Sequence, residues 1–332
     1  MKLIIPMAGR GTRVRPHSHV TPKPLLPVKG RNLVERIIDT FTRVLPRKAD
    51  EAVFVLGPDF GEDIRSALRH SCEERGIVAH FKVQERAEGT AHAVDCAGEH
   101  LTGEGIIVYA DTLFEMDSKV DLDHADVIAW VKEVPDPRRF GIAIREGDRV
   151  VRLEEKPANP VSNEALIGIY YVKDLGFLQQ QIHRLIEQDI RGHGREFQLT
   201  DTMDDLLKAN LVFTTATVTE WLDCGTIPAL MDTTFFYLNK ERDTLRAGTV
   251  EDCVIHEPVY VGPVARVVGS VLGPNVSVER GALVEGSILR DTIVLQEAVV
   301  KGALLEGSMV GAHAEVTPGA GRVNVGDHST IA

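Results

Sequence analysis

Across the first 245 residues, short β-branched runs alternate with longer segments whose apolar residues recur at helical spacing. The short runs predict strands at residues 2–5, 52–56, 78–83, 105–109 and 127–131. The spaced segments predict helices at residues 33–44, 63–74 and 175–188. This alternation favours an α/β fold, in which a mostly parallel, mixed sheet is covered on both faces. Functional residues are then expected just after the strands, at their carboxyl ends.

After about residue 250 the helical spacing ends, and small apolar residues recur near every sixth position. They are Ile255, Val261, Val267, Leu272, Val278, Val284, Ile293, Val299, Leu305 and Val310. A period near six predicts a parallel β-helix, in which each coil stacks its apolar corner on the next. The alternative, an irregular β-sandwich, would give a period of two. The change of pattern predicts one domain at residues 1–245 and a β-helix domain at 250–332.

The composition narrows the classes of partner. The 332 residues include 37 Lys and Arg against 49 Asp and Glu, a formal charge of −12, which disfavours non-specific nucleic-acid binding. Four cysteines stand far apart without metal-binding spacing, as in a reduced, cytoplasmic protein. The apolar run at the start is too short for a signal peptide or a membrane span. We expect a cytoplasmic protein with no nucleic-acid or membrane partner.

The loop after the first predicted strand combines glycines, a hydroxyl group and cations. It contains Ala8-Gly9-Arg10-Gly11-Thr12-Arg13, then Pro16 and Pro22-Lys23-Pro24. Glycines let backbone N–H groups approach an anion closely, and successive N–H groups form a phosphate nest. The dinucleotide fingerprint fails because Val14 occupies the place of its third glycine, and no Walker A sequence follows. The prolines keep this cationic loop extended.

This segment resembles the signature of the sugar-1-phosphate nucleotidyltransferases, although Ala8 stands where the family usually has its first glycine. Further matching motifs are Gln84 with Gly89-Thr90-Ala91, Tyr109-Ala110-Asp111-Thr112, Phe140-Gly141, Glu154-Glu155-Lys156-Pro157, Gly168-Ile169-Tyr170 and Trp221-Leu222-Asp223-Cys224-Gly225-Thr226. The resemblance covers almost all of the first 245 residues. It implies a Rossmann-like nucleotidyltransferase domain, to which a left-handed hexapeptide-repeat β-helix is a recurrent C-terminal addition.

The residue types suit this chemistry. The Gln84 amide can both donate to and accept from a pyrimidine edge, and Gly89 leaves room for a flat base. Thr90 is also expected to cap the helix that begins there. An aspartate such as Asp111 at the end of a buried strand is unfavourable unless it meets a cation. Together with Asp223 it offers two carboxylates, which suit a hard cation bound to nucleotide phosphates.

The resemblance implies a role for each matched position. The implied nucleotide contacts are Ala8, Gly9, Gly11, Thr12, Arg13, Gln84, Gly89 and Thr90. The implied sugar-phosphate contacts are Gly141, Glu155, Lys156, Gly168 and Tyr170. Asp111 and Asp223 would hold Mg²⁺, and catalysis would rest on them together with Arg13, Lys23 and Lys156. The expected partners are a nucleoside triphosphate and a sugar 1-phosphate.

The substrates stay open at this point. The motif around Gly89 is similar to uridylyl enzymes as much as to thymidylyl enzymes, so dTTP and UTP remain alternatives. Acetamido-sugar enzymes of the family usually carry an Asn near the positions of Leu166 and Ile167. Its absence favours glucose 1-phosphate over N-acetylglucosamine 1-phosphate.

Two other classes compete with this interpretation. A silent regulatory or scaffold subunit would bind a sugar nucleotide, but such proteins usually lose a metal carboxylate or the loop arginine, and this chain keeps both. A hexapeptide acyltransferase would need a catalytic histidine, for which the β-helix offers His256, His313 and His328. The open strand edges of a β-helix also predict a homo-oligomer.

Overall fold

The computed structural model describes residues 1–9, 11–242, 247–318 and 320–331. The chain forms two compact units. The first, here the sheet unit, comprises Met1–Gly9 and Ile37–Trp221, and the second, here the β-helix unit, comprises Arg10–Arg36 and Leu222–Ala332. The predicted domain end at residue 245 lies outside the described residues, and the division at 1–245 and 250–332 stays a prediction.

The secondary structure follows the alternation expected from the sequence. The α-helices are α1 Leu33–Val44, α2 Glu62–Glu73, α3 Thr90–Asp95, α4 Leu175–Glu187, α5 Leu199–Lys208 and α6 Ile227–Lys240. The strands before residue 225 are β1 Lys2–Pro6, β2 Pro27–Val28, β3 Arg31–Asn32, β4 Glu51–Leu56, β5 Val78–Val83, β6 Gly105–Val108, β7 Thr112–Glu115, β8 Val127–Glu133, β9 Gly141–Glu146, β10 Arg149–Glu155, β11 Glu164–Val172, β12 Phe213–Thr217 and β13 Glu220–Asp223. Short 3-10 helices lie at Thr12–Val14, Lys23–Leu25, Gly98–His100 and His193–Arg195.

The strands after residue 245 are short and closely spaced. They are β14 Thr249–Glu251, β15 Val254–Ile255, β16 Val259–Val261, β17 Arg266–Val268, β18 Val271–Leu272, β19 Val276–Val278, β20 Leu283–Glu285, β21 Ile288–Arg290, β22 Thr292–Val294, β23 Val299–Lys301, β24 Leu304–Glu306, β25 Met309–Val310, β26 Glu315–Val316, β27 Ala320–Gly321, β28 Asn324–Val325 and β29 Thr330–Ile331. Helices are absent from the described residues beyond 247, as the sequence pattern predicts.

The sheet unit contains a nine-stranded mixed sheet in the order β10-β9-β11-β6-β1-β4-β5, with β8 beside β11 and β12 beside β8. The strands β6, β1, β4 and β5 are parallel to one another. Strand β11 runs antiparallel to β6, which makes the sheet mixed. The predicted α/β fold is confirmed, and the carboxyl ends of four parallel strands share one edge of the sheet.

Burial explains why these segments form. In β1, Leu3, Ile4 and Ile5 are completely buried, as expected for a central strand covered on both faces. In α1, apolar residues at helical spacing, among them Ile37 and Phe41, are buried. The start of α1 is fixed by reciprocal hydrogen bonds between Asn32 and Glu35, whose side chains each accept the other residue's N–H at 2.9 and 2.8 Å.

The β-helix unit contains three all-parallel sheets, and each coil contributes one strand to each sheet. Val267 pairs with Val284, seventeen residues on, and Val284 pairs with Val300, sixteen residues on. One side of a coil therefore takes between five and six residues, which confirms the predicted β-helix. The register differs in detail, because Val300 is fully buried where the spacing predicted Val299, and Ile255 is only partly buried.

Within the β-helix unit, the segment 11–36 packs against the coils. The Gly30 N–H donates to the Glu279 carboxylate at 3.0 Å, and the Ser277 hydroxyl donates to the same carboxylate at 2.7 Å. The His17 imidazole lies 2.5 Å from the Asn324 side-chain oxygen. These contacts join the segment 11–36 to residues that lie 249 and 307 positions later in the chain.

The helices and the cysteines exclude two features within the described residues, a membrane-spanning helix and a disulfide. Among the described residues, no helix combines the length and apolar character needed to cross a bilayer. Cys72, Cys96, Cys224 and Cys253 form no disulfide within the described residues. Burial raises the pKa of Cys72 to about 11, so this thiol is protonated and unreactive at neutral pH.

Candidate active site

Several predicted site residues share the carboxyl edge of the parallel strands. Ala8 and Gly9 follow β1, Gln84 follows β5, and Asp111 lies three residues beyond β6. Apart from the chain neighbours of Gly9, no atom of the described residues lies within 4 Å of the point where a Cβ on Gly9 would stand. Ligands of open α/β sheets bind outside this edge. The sheet therefore brings these positions to the place that the sequence predicted.

The side chain of Gln84 is fixed beside the start of α3. It is 7% exposed, and its Nε2 donates to the Gly89 carbonyl at 3.4 Å and lies 3.0 Å from His92 Nδ1. These contacts orient the amide and bring Gln84 and Gly89 together. His92 was not singled out from the sequence, although its place three residues after Gly89 puts it on the first turn of the same helix.

Gly89 has a backbone that only glycine adopts readily, with φ 124° and ψ 178°. A Cβ there would lie 2.4 Å from the Phe197 carbonyl oxygen and 2.6 Å from its amide nitrogen. The expected cap at Thr90 is wrong, since Gly89 is the N-cap and no side chain caps α3. The Thr90 hydroxyl instead accepts the Leu199 N–H at 2.9 Å, at the start of α5. Thr90 therefore caps the start of α5 through a tertiary contact and does not cap α3.

Gly89→Ala is expected to lower the free energy of unfolding by about 2 kcal/mol, because it adds backbone strain and a clash with Phe197. Gly98→Ala is the matched control, since Gly98 also has a positive φ (58°) but faces open space. The control should lose about 1 kcal/mol. Urea unfolding followed by tryptophan fluorescence measures both variants, because both tryptophans lie in the sheet unit. Equal losses in the two variants would contradict the packing argument.

A second set of predicted residues meets where β9 and β10 pair. Gly141 lies opposite Glu155 in the hairpin, and Lys156 follows directly with a left-handed backbone. The Glu155 carboxylate accepts the Thr200 hydroxyl at 2.9 Å and lies 3.1 Å from the Lys156 ammonium. The structure adds Thr200, in the first turn of α5, to this set.

Tyr170 belongs to the same set. Burial raises its pKa far above the usual range, so the phenol stays neutral and shares a hydrogen bond with Thr200. Burial, reinforced by the Glu155 charge, also raises the pKa of the nearby Asp201 carboxyl. Glu155, Lys156, Tyr170 and Thr200 therefore form a partly buried polar cluster with one carboxylate and one ammonium group. Such a cluster can bind sugar hydroxyls and a phosphate.

Tyr109 connects this cluster's strand to the start of α3. Its hydroxyl donates to the Thr90 carbonyl at 3.4 Å, and its ring packs against Gly168. Gly168 has φ 79° and lies where the register of β11 shifts between Leu166 and Tyr170. Burial raises the pKa of Tyr109 well above its usual value. Tyr109 belongs to a matched motif but was given no role there, so it is a site neighbour that sequence reasoning missed.

The β-helix unit holds the remaining predicted residues. Around Gly225, Asp223 Oδ1 accepts the Gly225 N–H at 2.7 Å. The Arg13 guanidinium also lies beside Gly225, because its Nη2 is 3.4 Å from the point where a Cβ on Gly225 would stand. The structure therefore brings Arg13 and Asp223 together. Thr12 begins the short 3-10 helix that carries Arg13.

Lys23 lies beside Gly11. A Cβ on Gly11, which has φ 56°, would be 2.9 Å from the Lys23 Cβ, so glycine allows the loop to close there. The Ser18 hydroxyl donates to the Gly11 carbonyl at 2.6 Å. Lys23 is only 7% exposed, which is unusual for lysine.

The candidate metal ligands are oxygen donors. Asp223 is oriented by its hydrogen bond from Gly225, and Asp111 adjoins the Tyr109 site, where its charge contributes to the raised pKa of that phenol. Carboxylate oxygens match the preference of Mg²⁺. Each carboxylate is therefore of the kind that a hard divalent cation binds.

The candidate acyltransferase histidines are exposed. His313 and His328 stack with ring centroids 4.8 Å apart, and His256 lies elsewhere on the β-helix. Among the described residues, none of these three histidines is buried.

The family model described as Nucleotidyl transferase matches residues 2–240. The chain belongs to the nucleotidyl transferase family. This nucleotidyl transferase is 27% identical to the glucose-1-phosphate thymidylyltransferase of Streptomyces griseus, over 99% of this chain and 98% of that protein. It is 28% identical to the bifunctional protein GlmU of Methanococcus aeolicus, over 79% of this chain and 60% of GlmU.

A solved structure has the same fold. UDP-glucose pyrophosphorylase complexed with UDP-glucose superposes with a TM-score of 0.60 at 19% identity, covering 72% of this nucleotidyl transferase and 98% of that chain. The family and the fold expected from the sequence are confirmed. The roles of the individual residues stay predictions.

Proposed function

We propose that the protein is a sugar-1-phosphate nucleotidyltransferase, which joins a sugar 1-phosphate to a nucleoside triphosphate and releases pyrophosphate. The observation that carries the proposal is the cluster of Gly141, Glu155, Lys156, Tyr170 and Thr200. It pairs hydroxyl-binding groups with a phosphate-binding ammonium. The names of the relatives, glucose-1-phosphate thymidylyltransferase and UDP-glucose pyrophosphorylase, support the same class of reaction.

The proposed substrates are glucose 1-phosphate and either dTTP or UTP. Gln84, Gly89 and Thr90 would receive the base, and Ala8, Gly9, Gly11 and Thr12 would approach the phosphates through their backbone. Gly141, Glu155, Gly168 and Tyr170 would contact the sugar. Leu166 and Ile167 line the strand before Gly168 with apolar side chains, which favours glucose over an acetamido sugar.

In the proposed reaction, an oxygen of the sugar 1-phosphate attacks the α-phosphorus and forms a new P–O bond, while the bond to pyrophosphate breaks in line. The nucleophile is already anionic at neutral pH, so no general base is needed. Catalysis is then positioning and charge neutralisation. Lys156 holds the sugar phosphate against the repulsion of the triphosphate, and Arg13 and Lys23 hold the triphosphate and the leaving pyrophosphate.

Asp111 and Asp223 are the proposed ligands of Mg²⁺. The bound ion would supply further charge neutralisation at the phosphates. The predictions of a homo-oligomer and of a cytoplasmic location have no bearing on these roles and stay predictions.

A pyrophosphate-release assay tests the function. The purified full chain, with Mg²⁺ and glucose 1-phosphate, is incubated in parallel with dTTP, UTP, GTP, CTP and ATP. We expect release with dTTP or UTP, and none when glucose 1-phosphate is omitted. The control without the sugar phosphate separates nucleotidyl transfer from simple hydrolysis of the triphosphate.

Silence with all five triphosphates, repeated with several other sugar 1-phosphates, would contradict an active enzyme. Binding of UDP-glucose or dTDP-glucose without turnover, measured by calorimetry on the same sample, would then support the silent regulatory subunit.

A further inference from the structure

The sheet unit contains a cluster of metal-binding side chains at the edge opposite the candidate active site. Glu51 is the first residue of β4, His80 lies near the start of β5, and His100 ends a 3-10 helix. One potential ligand atom from each of the three residues lies within 4.8 Å of the others. Within the described residues, no other group of three His, Cys, Asp or Glu side chains brings its potential ligand atoms this close together.

The backbone explains why these side chains converge. His80 pairs with Val53 in the parallel ladder, and Glu51 lies two residues before Val53, so both side chains project from the same face. His80 Nε2 is 3.1 Å from the Glu51 carboxylate. The chain then returns through the 3-10 helix at Gly98–His100 and places the second imidazole against the first, with ring centroids 4.4 Å apart.

His100 is anchored from its backbone side. The Lys2 ammonium donates to the His100 carbonyl at 3.1 Å and to the Thr102 hydroxyl at 2.7 Å. The His100 side chain is only 17% exposed, so the surrounding residues restrict the orientation of this imidazole. The group therefore rests on β1, β4 and β5 together, which are rigid neighbours in the sheet.

We propose that Glu51, His80 and His100 form a binding site for a divalent transition-metal ion, with Zn²⁺ as the expected occupant. Two imidazoles and one carboxylate match zinc in kind and number, with a fourth position open to water. Zinc bonds of about 2.0–2.2 Å require only small side-chain movements from the present spacing. The oxygen-only preference of Mg²⁺ excludes that ion from this set.

A plain ion pair explains the cluster less well. One carboxylate can pair with one imidazolium, and a second imidazole stacked on the first then repels it when both are charged. A metal ion uses both imidazoles in their neutral form. Glu99 adds negative charge nearby, with its carboxylate 3.8 Å from His100 Nε2, although it also pairs with Lys82 at 2.6 Å.

The site is separate from the proposed reaction. His80 lies near the start of β5, and Gln84 follows the last residue of that strand, four residues or about 13 Å of extended chain from His80. Zinc there would tie the edge strand β5 to β4 and to the segment after α3. The inference therefore does not depend on the proposed function.

Isothermal titration calorimetry tests the site on the full chain, freed of any affinity tag and stripped with a chelator. We expect one high-affinity Zn²⁺ site that millimolar Mg²⁺ does not block. His80→Ala should weaken Zn²⁺ binding at least tenfold, and so should Glu51→Gln, which keeps the side-chain shape. His124→Ala is the matched control, because His124 is an exposed imidazole 3.3 Å from one carboxylate and should leave binding unchanged.

Cobalt gives a second readout. Co²⁺ in place of Zn²⁺ should show the strong visible absorption of a four-coordinate site in the wild type, and His80→Ala should lose it. Circular dichroism establishes that each variant is folded. Pyrophosphate release with Mg²⁺ should be the same in His80→Ala as in the wild type. The proposal is overturned if the wild type binds no Zn²⁺ in the presence of Mg²⁺. It is also overturned if Zn²⁺ binding is kept in His80→Ala but lost in His313→Ala, which removes one of the two stacked imidazoles of the β-helix unit.

Discussion

Replacing Lys23 with methionine is expected to lower the turnover number by about 10²–10³-fold. The physical reason is the loss of a buried cation that would meet charge developing on the leaving pyrophosphate, an effect of about 2.7–4 kcal/mol. Methionine keeps the long stem beside Gly11 and removes only the ammonium group. Steady-state pyrophosphate release at saturating substrates, together with the melting temperature, separates lost chemistry from lost folding.

Lys29→Met is the matched control for this variant. Lys29 is also buried, at 6% exposure, and lies six residues further along the same segment. Its ammonium pairs with the Glu241 carboxylate at 3.3 Å, within the β-helix unit. Lys29→Met should lower the melting temperature and leave turnover close to that of the wild type. Wild-type turnover in Lys23→Met would refute the role given to Lys23.

The contribution of one carboxyl group to the free energy of unfolding is expected to fall by up to about 3 kcal/mol as the pH rises from 5 to 8. Burial raises the pKa of Glu279 to about 7, from an ordinary value near 4.5. Between these values the unfolded chain releases its proton while the folded protein keeps it, so rising pH favours unfolding. Below pH 4.5 both states are protonated, and above pH 7 the full penalty is reached.

Glu279→Gln should remove this pH dependence. The amide can still accept from Gly30 and can donate to Ser277, so the contacts survive without a charge. Glu315→Gln, an exposed change on the same β-helix, should keep the wild-type dependence. Urea unfolding followed by far-ultraviolet circular dichroism at pH 5 and pH 8 measures all three proteins. Parallel curves for wild type and Glu279→Gln would show that the Glu279 proton makes no contribution.

Features set by local spacing could be predicted from the sequence. The strand at Val78–Val83 has the bounds that the alternation gave, and α1 begins and ends at the predicted residues. The repeat near six predicted the β-helix because each coil repeats the same burial.

Features set by contacts between distant segments could not be predicted in this way. Thr90 caps a helix that begins 109 residues later, and Tyr109 packs on Gly168 at an irregular point of β11. Glu279 resembles an exposed charge on a coil, and only the packing of residues near Gly30 buries it. The burial of Val300 instead of Val299 shows that a small register change in one coil escapes a periodic pattern.

The bond from Gly30 to Glu279 also has a consequence for how the chain is made. Its two ends are 249 residues apart, so a ribosome that adds about 5–20 residues per second needs roughly 12–50 s to pass from one to the other. During that interval the glycine loop has emerged, but the surface on which it rests does not yet exist. The segment that we propose binds the phosphates, although among the first parts synthesised, is therefore among the last to reach its final shape.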